Sequence, residues 1–242
     1  MKPLYLDIGN TNAKVAEYTG SEWRVLFSDS IRQVEALVEI FQTQFSTRKV
    51  IASSVRRDIT KQLKQRLPDF RFREIRFSDI PAMQLNYNTP QTLGMDRFLT
   101  CLGAVSQRNQ SAVVIDAGSA CTVDFMTADF VFQGGVIFPG LKVLKRTFKE
   151  ELPELPVPEP GIPDEWPGKS TKESIRWGLY GGYKAALQKF IDKYRENNPE
   201  LTVYLTGGDA ADVQLLFEAE VEFIVNPFLL FEGMKTASER WL

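Results

Sequence analysis

Apolar residues fall in short strand-like runs over the first thirty positions, and the same pattern returns after residue 111. Leu4, Tyr5 and Leu6 lead into Asp7 and a Gly-Asn turn, and Val15, Glu17 and Tyr18 resume a half-buried strand beyond it. Residues 23–27 give a third strand. The period then lengthens. Ile31, Val34, Leu37, Val38, Phe41 and Phe45 lie at helical spacing, and Ser30 followed by Gln33 reads as a capping box at the helix start. A strand over 49–53, a helix over 58–67 and a strand over 72–77 follow. A loop rich in Asn and Pro covers 81–92, and a helix runs over about 95–105.

The stretch AVVIDAGSACTVDF, from Ala112, resembles the opening of the chain. Both have an apolar strand, then Asp-x-Gly, then small polar residues and another β-prone segment. Asp7 and Asp116 are 116 − 7 = 109 residues apart in a chain of 242, which reads as a weak internal repeat. A third strand of this half covers 130–138. Six of the thirteen prolines lie in 153–167, so no regular helix forms there. Ser170 and Glu173 make a capping box that opens a long helix to about Arg195, with Ile175, Leu179, Leu187, Phe190, Ile191 and Tyr194 on its buried side. A strand over 202–206 runs into Thr-Gly-Gly-Asp at 206–209, followed by a helix, a strand over 221–225 and a last helix. Each half predicts a set of antiparallel hairpins, with later strands added by crossovers. The expected fold class is α/β: two halves, 1–110 and 111–242, with mixed sheets flanked by helices and a cleft between them.

Composition narrows the chemistry. At about 150 residues per domain the length allows one or two domains. The chain contains no histidine. That removes the Ser-His-Asp triad, the Cys-His pair, the HExxH zinc site and any histidine base, so proton transfer falls mainly to Asp, Glu, Lys, Tyr or Cys. Two cysteines, Cys101 and Cys121, build neither a disulfide framework nor a four-Cys zinc site. The net charge of -2 gives no basic excess for nucleic acid. No run approaches the ~18 apolar residues of a membrane span, and Asp7 interrupts the first apolar stretch too early for a signal peptide. The chain reads as a soluble cytoplasmic protein.

Three segments carry candidate chemistry. Asp7-Ile8-Gly9-Asn10-Thr11-Asn12 lies at a strand end. Gly9 permits positive φ and close approach of a ligand, successive N–H groups of such a turn bind anions, and Asp7 suits Mg²⁺, directly or through water. A plain β-turn explains the same residues. Asp116-Ala117-Gly118-Ser119-Ala120-Cys121-Thr122-Val123-Asp124 is its counterpart. Gly94-Met95-Asp96-Arg97 starts a helix, where Asp96 is either a cap against the dipole or a base beside an anion-binding Arg97. Gly168-Lys169-Ser170-Thr171 is not a phosphate loop, because Pro163 stands where its first glycine belongs. Gly178, Gly181 and Gly182 sit mid-helix and read as close-packing positions. Cys121 reads as a small buried residue rather than a reactive thiol.

Together, DIGNTNAK at 7–14, GMDR at 94–97, DAGSACTVD at 116–124, GGVIFPG at 134–140 and TGGD at 206–209 resemble the type III pantothenate kinases, in that family's order and over nearly the whole chain. The resemblance implies two ribonuclease-H-like halves of the acetate and sugar kinase, Hsp70 and actin superfamily. It implies phosphorylation of pantothenate by ATP, the first step of coenzyme A biosynthesis, with Mg²⁺ and K⁺ or NH₄⁺. It gives Asp7, Ile8, Gly9, Asn10, Thr11, Asn12, Ala13 and Lys14 to the first phosphate loop and Ser119 to ATP. Asp96 becomes the base, and Tyr87, Gly94, Met95, Asp96 and Arg97 contact pantothenate. Asp116 holds the monovalent cation, and Thr171 reaches pantothenate from the partner subunit of a homodimer. Ser119 stands where the family usually has Thr; it keeps the hydroxyl and loses a methyl. Two other readings stay open: another small-molecule kinase of the superfamily, and a non-catalytic nucleotide-responsive regulator.

Overall fold

The computed structural model describes residues 2–31, 34–46, 48–67, 71–217 and 220–242. They form two compact units, one of residues 1–107 with Phe228–Leu242, the other Arg108–Pro227.

The first unit is built on a five-stranded sheet. Strands β1 (Leu4–Ile8), β2 (Asn12–Tyr18) and β3 (Trp23–Ser30) form an antiparallel meander, and β4 (Val50–Ser54) and β5 (Phe72–Glu74) join as parallel strands, in the order β3-β2-β1-β4-β5. Alternation decides the faces of β1. Leu4, Leu6 and Ile8 point into a core with Leu37, Phe41 and Leu63, from helices α1 (Val34–Gln44) and α2 (Arg57–Arg66). Tyr5 and Asp7 therefore point to the other face. Helix α3 (Met95–Arg108) follows three single 3₁₀ turns, at Phe77–Asp79, Ala82–Gln84 and Pro90–Thr92.

The second unit repeats the plan. Strands β6 (Ala112–Ala117), β7 (Ala120–Met126) and β8 (Phe132–Pro139) are antiparallel, and β9 (Thr202–Thr206) and β10 (Phe223–Val225) add in parallel, in the order β10-β9-β6-β7-β8. Its core sets Val113, Ile115 and Ala117 of β6 against Leu187 and Ile191 of helix α6 (Gly182–Arg195) and Val213 of α7 (Ala210–Phe217). The expected hairpin-then-crossover order thus holds in both halves.

Several expectations change. Strand 72–77 stops at Glu74, and β3 runs on to Ser30. Helix α1 begins at Val34; the capping box at Ser30 and Gln33 involves Gln33, which lies outside the described residues. A helix that the sequence reading passed over, α4 (Leu141–Glu151), fills the space before the proline-rich segment. The long helix after Ser170 is real, and Ser170 accepts from the Glu173 N–H at 3.3 Å while Glu173 accepts from the Lys169 N–H at 2.8 Å. It is not uniform, however. Helix α5 (Thr171–Arg176) passes into a π-helical turn, Trp177–Gly181, before α6. Gly181 packs as expected, since a Cβ there would lie 2.4 Å from the Trp177 ring, but Gly178 has open space around it. The last helix, α8 (Leu229–Trp241), belongs to the first unit rather than to the half 111–242. Close helix packing holds it there. A Cβ on Gly103 of α3 would lie 2.0 Å from the Leu229 carbonyl oxygen, and one on Gly233 of α8 would lie 1.8 Å from that of Leu99. Trp23 adds a hydrogen bond to Glu232 at 2.7 Å and ring contacts with Phe228 and Phe231.

Two glycines then separate packing from propensity. Gly233→Ala forces the α3–α8 backbones apart and is expected to lower stability by about 1–3 kcal/mol, the usual cost of overpacking. Gly178→Ala meets nothing and is expected to raise stability by about 0.5–1 kcal/mol through helix propensity. Urea unfolding midpoints of the two variants test this; equal shifts would refute it.

Candidate active site

Asp7 is the fourth of the five residues of β1 and Asp116 the fifth of the six of β6, so each stands one residue before its strand ends. Each is followed by one apolar residue and a glycine. Gly9 N–H donates to the Asn12 carbonyl at 3.0 Å, and Gly118 N–H to that of Ala120 at 3.2 Å. In each turn the glycine N–H bonds a carbonyl further along the turn, but the second turn is one residue tighter, and Gly118 N–H also lies 3.2 Å from the Asp116 carbonyl. Gly9 does not use the positive φ that glycine permits. Asn10, Thr11, Asn12 and Lys14 are exposed, whereas Ile8 and Ala13 are buried core. Asn10 and Thr11 line a groove of about 690 Å³. Arg56, which also lines it, is held by Asp58 at 2.9 and 2.7 Å, and that bonding brings the Asp58 carboxyl down to about 2.

Asp7 pairs in register with Lys14 on β2 and with Ser53 on β4. Ser53 is fully buried, and its hydroxyl has no hydrogen-bond partner among the described residues. An orphaned hydroxyl costs free energy unless something satisfies it. A carboxylate with a hydroxyl alongside is a hard oxygen donor set, which fits Mg²⁺ bound directly or through water. Asp116 pairs in register with Thr122 and Thr206, here oxygen donors on both sides. Among the described residues no group of three or more His, Cys, Asp or Glu side chains gathers as a metal site. One carboxylate with neutral oxygens suits a weakly held monovalent cation better than a transition metal.

Asp96 sits in the first turn of α3, where its Oδ1 accepts from the Arg97 N–H at 2.9 Å. Burial lifts its carboxyl above the ordinary value, against the opposing pull of that N–H and the Arg97 charge. Gly94 makes the placement fit, since a Cβ there would lie 2.3 Å from Asp96 Oδ1. Arg97 and Met95 are buried, and Tyr87 is half-buried between two of the 3₁₀ turns. Gly94 and Met95 also line a groove of about 890 Å³ that α2, β5 and the 91–95 segment enclose. Ile75 and Leu93 give it apolar lining. Lys64 and Arg76 share one oxygen of Glu74, at 2.7 and 3.2 Å. Arg57 and Lys61 line the same groove with no ion-pair partner among the described residues.

In the second unit three segments meet at the end of β6. Gly140 N–H donates to the Ser119 carbonyl at 2.9 Å, and Asp209 N–H to the Ala117 carbonyl at 2.8 Å. Ser119 is exposed on this turn. Thr171 is exposed at the start of α5 and is not part of this convergence. Cys121 is fully buried in the core of this unit, as expected. Burial pushes its thiol up to about 12, with the charges of Asp116, Asp124 and Asp209 adding to the rise and Tyr183 opposing it.

The type III pantothenate kinase family model matches residues 3–193. This chain belongs to the type III pantothenate kinase family. Relatives of that name include one from Phocaeicola vulgatus, 31% identical and covering 96% of this chain and 95% of its own length. Another, from Flavobacterium johnsoniae, is 33% identical and covers 86% of each chain. Among solved structures, a Campylobacter jejuni protein assigned to the Baf family of transcriptional activators matches with TM-score 0.67 and 24% identity, over 98% of this chain and 97% of that one. A Sinorhizobium meliloti protein assigned as a 2-dehydro-3-deoxygalactonokinase matches with TM-score 0.59 and 12% identity, over 98% of each. These structural likenesses show the fold, that of the actin-like sugar kinases.

For a type III pantothenate kinase, sequence reading missed Ser53, the groove cations Arg57 and Lys61, and the whole of α4 with Lys142. Leu141, Leu144 and Phe148 do lie at helical spacing, so α4 was legible. Nothing in the sequence marks Ser53 as buried without a partner.

The raised Asp96 carboxyl makes a signed prediction. Its protonated form is favoured in the fold, so that stabilising contribution is complete below the ordinary carboxyl range and is lost as pH rises through the raised native value. Asp96→Asn keeps the acceptor for the Arg97 N–H and removes the buried charge. It is expected to melt above the parent protein at pH 7, with the gap narrowing as pH falls toward about 4. Melting curves across that range check it, and a pH-independent gap would refute it.

Proposed function

We propose that this chain transfers the γ-phosphoryl group of ATP to the primary hydroxyl of pantothenate, yielding 4′-phosphopantothenate for coenzyme A biosynthesis. Family membership supports the reaction. The observation that carries the mechanism is the Gly94–Asp96 arrangement: a carboxylate raised by burial at the start of α3, fitted against a glycine, in a chain without histidine.

Phosphoryl transfer asks the protein mainly to position reactants and balance charge. The pantothenate oxygen forms a bond to the γ-phosphorus as the bond from that phosphorus to the bridging oxygen of ADP breaks. Asp96 orients the hydroxyl and takes its proton, which then passes to solvent. A carboxyl raised toward the working pH is a better acceptor than an ordinary one. Arg97, Tyr87, Gly94 and Met95 hold the acceptor, and the groove beside them supports that reading, because Arg57 and Lys61 give it positive charge suited to a carboxylate-bearing substrate. The Asp7 turn, through Lys14, cradles ATP phosphates, and Ser119 bonds ATP from the second turn. Mg²⁺ would be held at Asp7 and K⁺ or NH₄⁺ at Asp116, where each would neutralise phosphate charge. Thr171 meets pantothenate from the partner subunit of a homodimer. Two buried cysteines, Cys101 and Cys121, in the whole chain fit a reducing compartment, the cytoplasm.

The assay is ATP-dependent phosphorylation of pantothenate with Mg²⁺, comparing K⁺ or NH₄⁺ with Na⁺. Turnover is expected only with K⁺ or NH₄⁺. Turnover on sugars or other alcohols instead would favour another kinase of the superfamily, and ATP binding without turnover would favour a regulator. Asp96→Asn is expected to lower kcat by roughly 10²- to 10⁴-fold, the usual worth of a general base. An unchanged kcat would remove Asp96 from that role.

A further inference from the structure

Asp209 closes the Thr-Gly-Gly-Asp motif, and neither the family resemblance nor the proposed mechanism gives it a role. It is only 5% exposed, yet carries a carboxyl group. An uncompensated buried carboxylate is costly. Here the compensation is Lys142, whose ammonium lies 2.6 Å from Oδ1 and whose backbone N–H lies 3.4 Å from Oδ2. Lys142 Nζ also lies 3.4 Å from the Gly208 carbonyl.

The pair joins two clamps on one turn. The first clamp is the 207–209 segment. Gly207 takes φ +94, a conformation that side chains resist, and a Cβ there would lie 2.4 Å from the Ala117 oxygen and 2.5 Å from Asp116 Oδ1. The Asp116 carboxylate thus rests against residue 207, and the Asp209 N–H holds the next carbonyl, that of Ala117. The second clamp is the 140–142 segment. Gly140 donates to the Ser119 carbonyl, and a Cβ on Gly140 would lie 1.9 Å from the Gly118 oxygen. The turn bearing Asp116 and Ser119 is gripped from both segments, and the Lys142–Asp209 ion pair links the two grips.

We propose that Asp209 is a positioning residue, which through Lys142 fixes the turn that presents Asp116 and Ser119. It touches no reacting atom. The inference deepens the kinase reading and rests on it only for what Asp116 and Ser119 contact. Without the tie, the turn loses register between its two clamps, and nucleotide and cation affinity fall before the chemical step does.

The test uses the whole chain, with Asp209→Asn and, separately, Lys142→Met. Lys142 is an exposed side chain, and the double variant Asp209→Asn/Lys142→Met, which leaves no unpaired buried carboxylate, decides the matter if a single variant fails to fold. The first readout needs no ligand: hydrogen exchange at the 117–119 amides is expected to quicken about tenfold in both variants, as expected for loss of a local tie. The second is kinetic: KM for ATP is expected to rise about tenfold with kcat within a factor of three. ATP with Mg²⁺ alone is then titrated against melting temperature in K⁺ and in Na⁺, and the K⁺-dependent shift is expected to shrink. Parent-like exchange and parent-like ATP response in a folded variant would overturn the proposal. A parent protein that ignores ATP would instead overturn the kinase reading, while the exchange result would still judge the tie.

Discussion

A strand hydrogen-bonded on both edges has its backbone N–H and C=O groups committed to its neighbours, so its backbone can meet a ligand only where the strand runs out. β1 and β6 are such strands, each with a hairpin partner on one side and a parallel crossover strand on the other. Apolar alternation commits one face of each to a core. Asp7 and Asp116 lie on the opposite face, one residue before the strand ends, with a hydrogen-bonded glycine turn just beyond. The rest of each unit serves this position. The hairpin partner supplies the residue across, Lys14 or Thr122, and the crossover strand supplies Ser53 or Thr206.

The carboxylates away from these strand ends meet the cost of burial in different ways. Asp96 has a backbone N–H and a neighbouring guanidinium, which only partly offset desolvation. The protonated form of its carboxyl is therefore favoured more than in a solvated carboxyl. Asp209 has a full ion pair with Lys142 and holds a carbonyl through its own N–H, which suits a fixed structural group. The difference follows from local partners and not from residue type.

Much of this was legible in the sequence, because both signals repeat. The apolar runs at 4–6 and from Ala112 marked two equivalent strands, and Asp-x-Gly marked the end of each. Element ends were less legible. β3 outran its apolar pattern, and β5 fell short of Phe77, since pairing with a neighbour decides where a strand stops. The placement of α8 in the first unit was hidden, because Gly103 and Gly233 show their meaning only when the two helices meet. The role of Gly207 was hidden for the same reason: it is defined by the Ala117 carbonyl, which approaches from another strand.

The return of α8 to the first unit bears on how the chain is made. Residues 108–227 form a continuous stretch, and every strand of their sheet is available once Pro227 has been synthesised. The first unit is split. Its sheet and its α3 helix emerge early, but the surface that Gly103 and Leu99 offer stays uncovered until α8 follows the entire second unit. Vectorial synthesis, which usually lets the N-terminal domain fold first, here delivers the finishing piece of that domain last.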